Sequence, residues 1–181
     1  YCLTYFDIRE IVCKFVKRTI RYNSMKKHLL LLITILICLP SFAQEFSYTY
    51  LGQTLWYTVI SEKDKTCEIK AGHLGKTGQD ISGDLIIPDK VSDGEDEYTV
   101  AAIGYCAFWN ATKLKSVVIP NSVVKIGSYA FYDCRGLGSV TIGNSVTDIE
   151  GRTFYNCPLT SLTLGESVAT IGKGAFSGEY S

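Results

Sequence analysis

The stretch "IGSYAFYDC", Ile126 to Cys134, decides the fold, because the chain says it four times. Versions begin at Ile103 ("IGYCAFWNA"), Ile149 ("IEGRTFYNC") and Ile171 ("IGKGAFSG"). The first two units are 23 residues long and the third is 22, the missing residue falling near "NCPL", Asn156 to Leu159. Phe108, Phe131, Phe154 and Phe176 each follow their isoleucine by five positions. Next come Leu114, Leu137 and Leu159, then Val117, Val140 and Leu162. Ile119, Ile142 and Leu164 follow, then Val123, Val146 and Val168. Self-similarity at a fixed period of this size is the mark of a solenoid. A unit of 23 residues is too small to close a core alone. Stacked units place each apolar residue over its counterpart and build a continuous interior column.

Each unit has two sides. "KSVVI", "GSVTI" and "TSLTL" alternate and are β-branched, which predicts a short strand with Val117 and Ile119 pointing inward. Ser116 and Val118 then point outward, as do Ser139 with Thr141 and Ser161 with Thr163. Strands from successive coils pair as a parallel sheet, about 4.8 Å apart. "PNS", "GNS" and "GES" make the turns that follow. The Ile-Gly side is too short for a long helix, so a brief strand and a single helical or 3-10 turn are expected there. Gly104, Gly127 and Gly172 form a column of close approach that Glu150 interrupts, so the third coil is expected to differ slightly. Upstream, "SGDLIIPDKV" (Ser82–Val91) reads as the strand and turn of a first coil, enlarged by a hairpin with "DGED" as its turn and "EYTVAAI" returning. "QTLWYTVISEKDKTCEIKAG" reads as two alternating strands joined by "SEKDK". Residues from about Phe46 to Gly72 are expected to cover the open end of the solenoid, whose edge otherwise presents unpaired N–H and C=O groups. The fold expected is a repeat solenoid, mainly β, with a parallel sheet on one face and an N-terminal β-hairpin cap.

The run "LKSVVIPNSVVKIGSYAFYDCRGLGSVTIGNSVTDIEGRTFYNC" resembles the BspA-like leucine-rich repeats of bacterial surface proteins. Their pattern is L-x-S-V-x-I-P-x-S-V-x-x-I-G-x-x-A-F-x-x-C at a 23-residue period, matched here from about Gly83 to Gly178. Departures are Glu150 for glycine, Thr153 for alanine, Ala111 for cysteine and the one-residue deletion. The resemblance implies a right-handed superhelix, secreted or surface-exposed, often an adhesin or binding protein. It implies neither a catalytic site nor a particular ligand.

The N-terminal region reads differently. Met25, the sole methionine, opens "MKKHLLLLITILICLPSFAQEF". Lys26 and Lys27, the apolar run Leu29–Leu39 and the small residues Ser41 and Ala43 make a secretory signal peptide cut after Ala43. Eleven apolar residues span roughly 16 Å as a helix, about half a bilayer core, so a retained anchor is the poorer reading. Residues 1–24 lie upstream of that methionine and are expected to be an untranslated extension, the alternative being a basic amphipathic membrane-surface helix in "IREIVCKFVKRTIRY". The organisation expected is extension 1–24, signal 25–43, β cap 44–81 and repeats 82–181, with the natural chain continuing past Ser181. Seven of the 18 basic and two of the 18 acidic residues precede Gln44, leaving 11 against 16 and a net charge of −5. Such a protein carries no electrostatic footprint for nucleic acid.

No catalytic, metal or cofactor constellation is expected. "GHLGKTG", Gly72–Gly78, has Lys70 where a phosphate loop needs its first glycine. His73 is the one histidine after the signal, and no C-x2-C spacing suits zinc. Asp93, Glu95, Asp96 and Glu97 lack the spaced ligands of a calcium loop and read as a solvated hairpin tip. Cys67, Cys106, Cys134 and Cys157 are even in number, which permits disulfides in an exported protein. Cys134 and Cys157 nevertheless occupy the same place in consecutive repeats, which favours buried free thiols. Two outward surfaces are candidates for binding: the hydroxyl-rich sheet face of Ser116, Val118, Ser139, Thr141, Ser161 and Thr163, and the aromatic column Trp109, Tyr132 and Tyr155. Each has a plainer reading, as solvent-facing strand positions and as cover for the Phe column. The function expected is binding or adhesion to an extracellular protein or glycan, with no nucleic acid and no small-molecule cofactor. The alternatives are a targeting module of a secreted enzyme whose catalytic domain lies beyond Ser181, or a structural envelope spacer.

Overall fold

The computed structural model of the protein describes residues 44–70 and 81–178. The extension, the signal segment and the "GHLGKTG" stretch with His73 lie outside the described residues. The chain starts with three strands, β1 (Glu45–Tyr50), β2 (Gln53–Ser61) and β3 (Thr66–Lys70), paired antiparallel in that order. β4 (Gly83–Ile86) and the hairpin of β5 (Lys90–Ser92) with β6 (Glu97–Ile103) complete the enlarged first coil. Each later coil supplies one strand to each of two sheets. β7 (Leu114–Ile119), β9 (Ser139–Ile142) and β11 (Ser161–Thr163) stack parallel on β4. The two-residue strands β8 (Lys125–Ile126), β10 (Asp148–Ile149) and β12 (Thr170–Ile171) stack parallel on β6.

The core lies between these sheets and is made of the repeated columns. Phe108, Phe131, Phe154 and Phe176 lie ring on ring, with centroids 4.8, 5.0 and 5.3 Å apart. Val117 faces Val140, and Ile119 faces Ile142, all four buried. Burying each such side chain contributes about 1.5–3 kcal/mol against an ordering entropy of about 1–2 kcal/mol per residue. Stacked neighbours therefore matter, and burial falls off in the last described coil. Leu162, Leu164 and Ile171, equivalents of buried residues one coil earlier, are 40%, 42% and 53% exposed.

The cap closes only one of the two sheets. β3 pairs parallel with β6 and so extends the sheet that carries β8, β10 and β12. β4 is an edge strand of the other sheet. A side chain partly covers that edge: Gln53 Nε2 donates to the carbonyls of Ser82 and Asp84, at 3.1 and 3.0 Å. The acidic hairpin tip is also structural. Asp93 Oδ1 accepts the amides of Glu95 and Asp96, and its Oδ2 accepts Gln44 Nε2 at 2.6 Å. Burial alone would raise the Asp93 carboxyl; the amides of Asp96 and Glu95 outweigh it and hold it below the usual range. Lys65 joins this tip to the cap, pairing Asp96 at 2.9 Å and Glu62 at 3.0 Å.

The Ile-Gly side departs from the expected helical or 3-10 turn: among the described residues neither is present. The chain makes consecutive hydrogen-bonded turns instead. The amides of Ala107, Trp109 and Ala111 donate to carbonyls three residues back, Gly104, Cys106 and Phe108. The amides between them leave the coil. Cys106, Phe108 and Asn110 donate forward to Ser128, Ala130 and Tyr132 of the next coil, and the following two coils repeat this one residue type after another. A helix would bind those amides within its own turn. The neighbouring coil competes successfully because stacking presents its carbonyls at 2.7–3.2 Å. Left-handed residues turn the chain at each step: Cys106 and Asn110, Tyr129 and Asp133, Arg152 and Asn156, with φ from 55 to 61°. Asn and Asp tolerate this conformation by bonding locally; tyrosine and arginine have no such help.

The irregular third coil keeps its register. Glu150 N donates to Ile126 O at 3.0 Å, the bond that Gly127 N makes to Ile103 O at 2.8 Å. Its carboxylate turns outward and accepts Ser128 N and Oγ, both at 2.8 Å, and Lys125 Nζ at 2.6 Å. Thr153 Oγ1 reaches the Glu150 carbonyl at 2.8 Å, so a hydroxyl sits satisfied where its neighbours carry alanine. The deletion is absorbed at Pro158. Leu159 N bonds Cys157 O, two residues back, whereas Leu137 N bonds Cys134 O, three back. Pro158 takes the place of an amide that is no longer required.

Candidate functional site

Both predicted surfaces exist as ordered rows, and they differ in character. On the sheet face Ser116, Ser139 and Ser161 are cross-strand partners, and Val118, Thr141 and Thr163 form the parallel row. The rows continue into β4, which the sequence reading left out: Asp84 pairs with Ser116 and Ile86 with Val118. Asp84 Oδ1 accepts Ser116 Oγ at 2.6 Å. The outer face therefore begins with an aliphatic pair, Ile86 and Val118, 47% and 40% exposed, and becomes hydroxylated toward the last coil. Val118, Thr141 and Thr163 also line an open cleft of about 390 Å³, together with Asn121 and Asn144 from the following turns. Asn144 N donates to Asn121 Oδ1 at 2.8 Å, which ties these turns together.

The aromatic column is larger than the sequence suggests. Tyr132 and Tyr155 stack with centroids 5.0 Å apart and planes at 6°. Trp109 leaves the stack and meets Tyr132 edge-on, at 6.0 Å and 85°. Two further rings join from two other positions in the turn. Tyr129 lies 5.4 Å from Tyr132, and Tyr105 meets Tyr129 edge-on at 5.8 Å. Arg152 closes the patch: its guanidinium lies over Tyr129 at 5.8 Å and Tyr155 at 6.0 Å, and Nη1 donates to the Tyr129 hydroxyl at 3.1 Å. Five rings and one cation thus share one wall across three coils. Tyr105 and Trp109 are its exposed end, at 67% and 45%. Each edge-to-face or stacked pair adds about 0.5–1.5 kcal/mol beyond its area term, so the rings hold one another in place.

The nearby carboxylates are already engaged. Lys125 and Ser128 hold the Glu150 carboxyl below its usual range, and Arg135, with Asn156, does the same for Asp133. Asn156 Nδ2 donates to Asp133 Oδ1 at 2.6 Å, and Arg135 Nε to the same oxygen at 2.8 Å. The thiols lie inside. Cys134 Sγ donates to Phe108 O at 3.1 Å and Cys157 Sγ to Phe131 O at 3.0 Å, each reaching the preceding coil. All four described cysteines are buried, and burial pushes the Cys67 thiol up to about 12. Among the described residues no group of three or more His, Cys, Asp or Glu side chains gathers to hold a metal ion.

Two stacked sheets, in-register apolar columns and an ordered outer wall define a leucine-rich-repeat solenoid. The family follows from comparison: residues 101–181 match the BspA type leucine rich repeat region, in six copies, and the repeat region belongs to that family. The fold resembles a leucine-rich repeat protein from Bacteroides ovatus ATCC 8483, with 30% identity, a TM-score of 0.59 and 72% of this chain covered. This chain spans only 33% of that protein. A leucine-rich repeat protein from Bacteroides capillosus ATCC 29799 is 25% identical, with a TM-score of 0.57, over 74% of this chain and 99% of its own. The T. pallidum leucine rich repeat protein, 21% identical over 72% of this chain and 66% of its own, shares the fold at a TM-score of 0.55. No curated protein matches the chain.

Proposed function

We propose that this protein is exported and works outside the cell as a non-catalytic binding protein, holding a protein or glycan partner on the outer wall of its coils in an adhesive role. One observation carries this reading: the aromatic wall of Trp109, Tyr132 and Tyr155, widened by Tyr105 and Tyr129, presents rings in fixed mutual contact over successive coils. Rigid aromatics bind at low entropic cost, and many modest contacts along a repeat array add up. The membership of residues 101–181 in a repeat family and the signal-like run Lys26–Ala43 in the sequence support the same reading.

A solid-phase binding assay against a panel of matrix proteins and glycans tests it. The purified protein is expected to show saturable binding to at least one of them. The triple variant W109A/Y132A/Y155A is expected to lose it, while S139K/T141K on the sheet face keeps it. No saturable binding by the parent protein counts against the reading, and loss confined to S139K/T141K moves the site to the sheet.

A further inference from the structure

We propose that the aromatic wall takes an acidic glycan, with the sugar rings on the aromatics and a sugar carboxylate on Arg152. The inference rests on the binding role proposed above and names its partner class. The first observation is the state of Arg152. Its guanidinium is fixed by two ring faces and by the Tyr129 hydroxyl. Only one of its five N–H donors is accounted for by that hydroxyl, and among the described residues no carboxylate pairs with it. The neighbouring acids Glu150 and Asp133 are held by Lys125 and Arg135. A pre-positioned planar cation with no carboxylate partner among the described residues is complementary to a carboxylate.

The second observation is independent of charge. Arg152 and Tyr129 adopt φ of 55° and 58°, and the equivalent residue one coil later is Gly174 at 68°. Glycine suits that position without strain. Arginine and tyrosine are held there against their conformational preference, and such strain gathers at functional sites. The third observation selects a saccharide over an acidic peptide. Extended peptides dock by adding to a free strand edge or by filling a groove. On the three coils of this wall nine amides are spent on the next coil and most of the others within their own turn. Flat rings, phenol hydroxyls and one cation remain, and these suit the apolar face, hydroxyls and carboxylate of a uronic-acid unit.

The test uses the purified protein in titration calorimetry with polygalacturonate, with fully methyl-esterified polygalacturonate and with polyglutamate. The expected result is saturable binding to polygalacturonate, at least tenfold weaker binding to the ester and none to polyglutamate. R152G is expected to weaken polygalacturonate binding at least tenfold with no fall in melting temperature, because glycine relieves the left-handed backbone. W109A is expected to weaken both the acid and the ester. Absent binding to polygalacturonate overturns the proposal, as does undiminished binding by R152G. Equal binding to polyglutamate overturns it in favour of an acidic peptide. Matrix-protein capture that survives when polygalacturonate fails removes the glycan assignment and leaves the broader binding role standing.

Discussion

Replacing Phe131 by alanine tests the stacked interior most directly. Its ring is fully buried and lies between Phe108 and Phe154, at 4.8 and 5.0 Å. Loss of the transferred ring, plus the cavity left between two coils, sets the effect at about 3–5 kcal/mol. Phe176 is the contrasting site: it is half-buried, lies in the last described coil and has one ring neighbour among the described residues, at 5.3 Å. Its truncation removes less buried contact, about 1–2 kcal/mol. Urea unfolding followed by circular dichroism separates the two. With a slope of about 2 kcal/mol per molar, F131A lowers the midpoint by about 2 M and F176A by less than about 1 M. F131L, which keeps most of the volume, costs under about 1.5 kcal/mol. A midpoint for F131A within about 0.5 M of the parent refutes the reasoning, and so does an equal loss in F176A.

Two further outcomes follow from the third coil and the thiols. Lys125 and Ser128 depress the Glu150 carboxyl, so its contribution is present above its unfolded pKa and is lost as pH falls through the folded one. Stability measured from roughly pH 6 down to pH 3 should therefore fall more steeply in the parent than in E150Q, by less than about 1 kcal/mol because Lys125 is mostly exposed; parallel curves sink this prediction. Asp148 and Glu68, which also face Lys125, are present in both proteins and cancel in the difference. Cys67, Cys134 and Cys157 are expected to resist alkylation until the protein unfolds, with peptide mapping by mass spectrometry as the readout; rapid labelling of Cys134 or Cys157 in the native state contradicts the buried-thiol arrangement.

Much of the interior was legible because burial imposes a period. Phe108, Phe131 and Phe154 recur at equal spacing and must superpose if units stack. The turn side was less legible. Asn110, Asp133 and Asn156, each two residues after its phenylalanine, do signal a left-handed position. Cys106, Tyr129 and Arg152 share that conformation without any propensity for it, so no local rule announces them. The wall was half read for a related reason. Trp109, Tyr132 and Tyr155 form a column, whereas Tyr105 and Tyr129 come from different positions in their repeats. Contacts between columns depend on how the turns fold, and column-by-column reading does not see them. The cap was recognisable by the alternating strands β2 and β3, but β1 was not read as a strand, and the cap's restriction to one sheet depends on the β3–β6 pairing.

The forward-pointing amides of the turn side have an electrical consequence. Nine of them, from Cys106 to Asn156, all aim from one coil into the next. Ordinary strand pairs exchange bonds in both directions and largely cancel, but this wall does not. Its peptide dipoles add along the axis as they do in an α-helix, with the positive pole at the Lys173–Ser177 coil. There the amides of Gly174 and Phe176 meet no carbonyl among the described residues. The wall is thus polarised along its described coils, and each coil stacked in this manner lengthens the polarised wall.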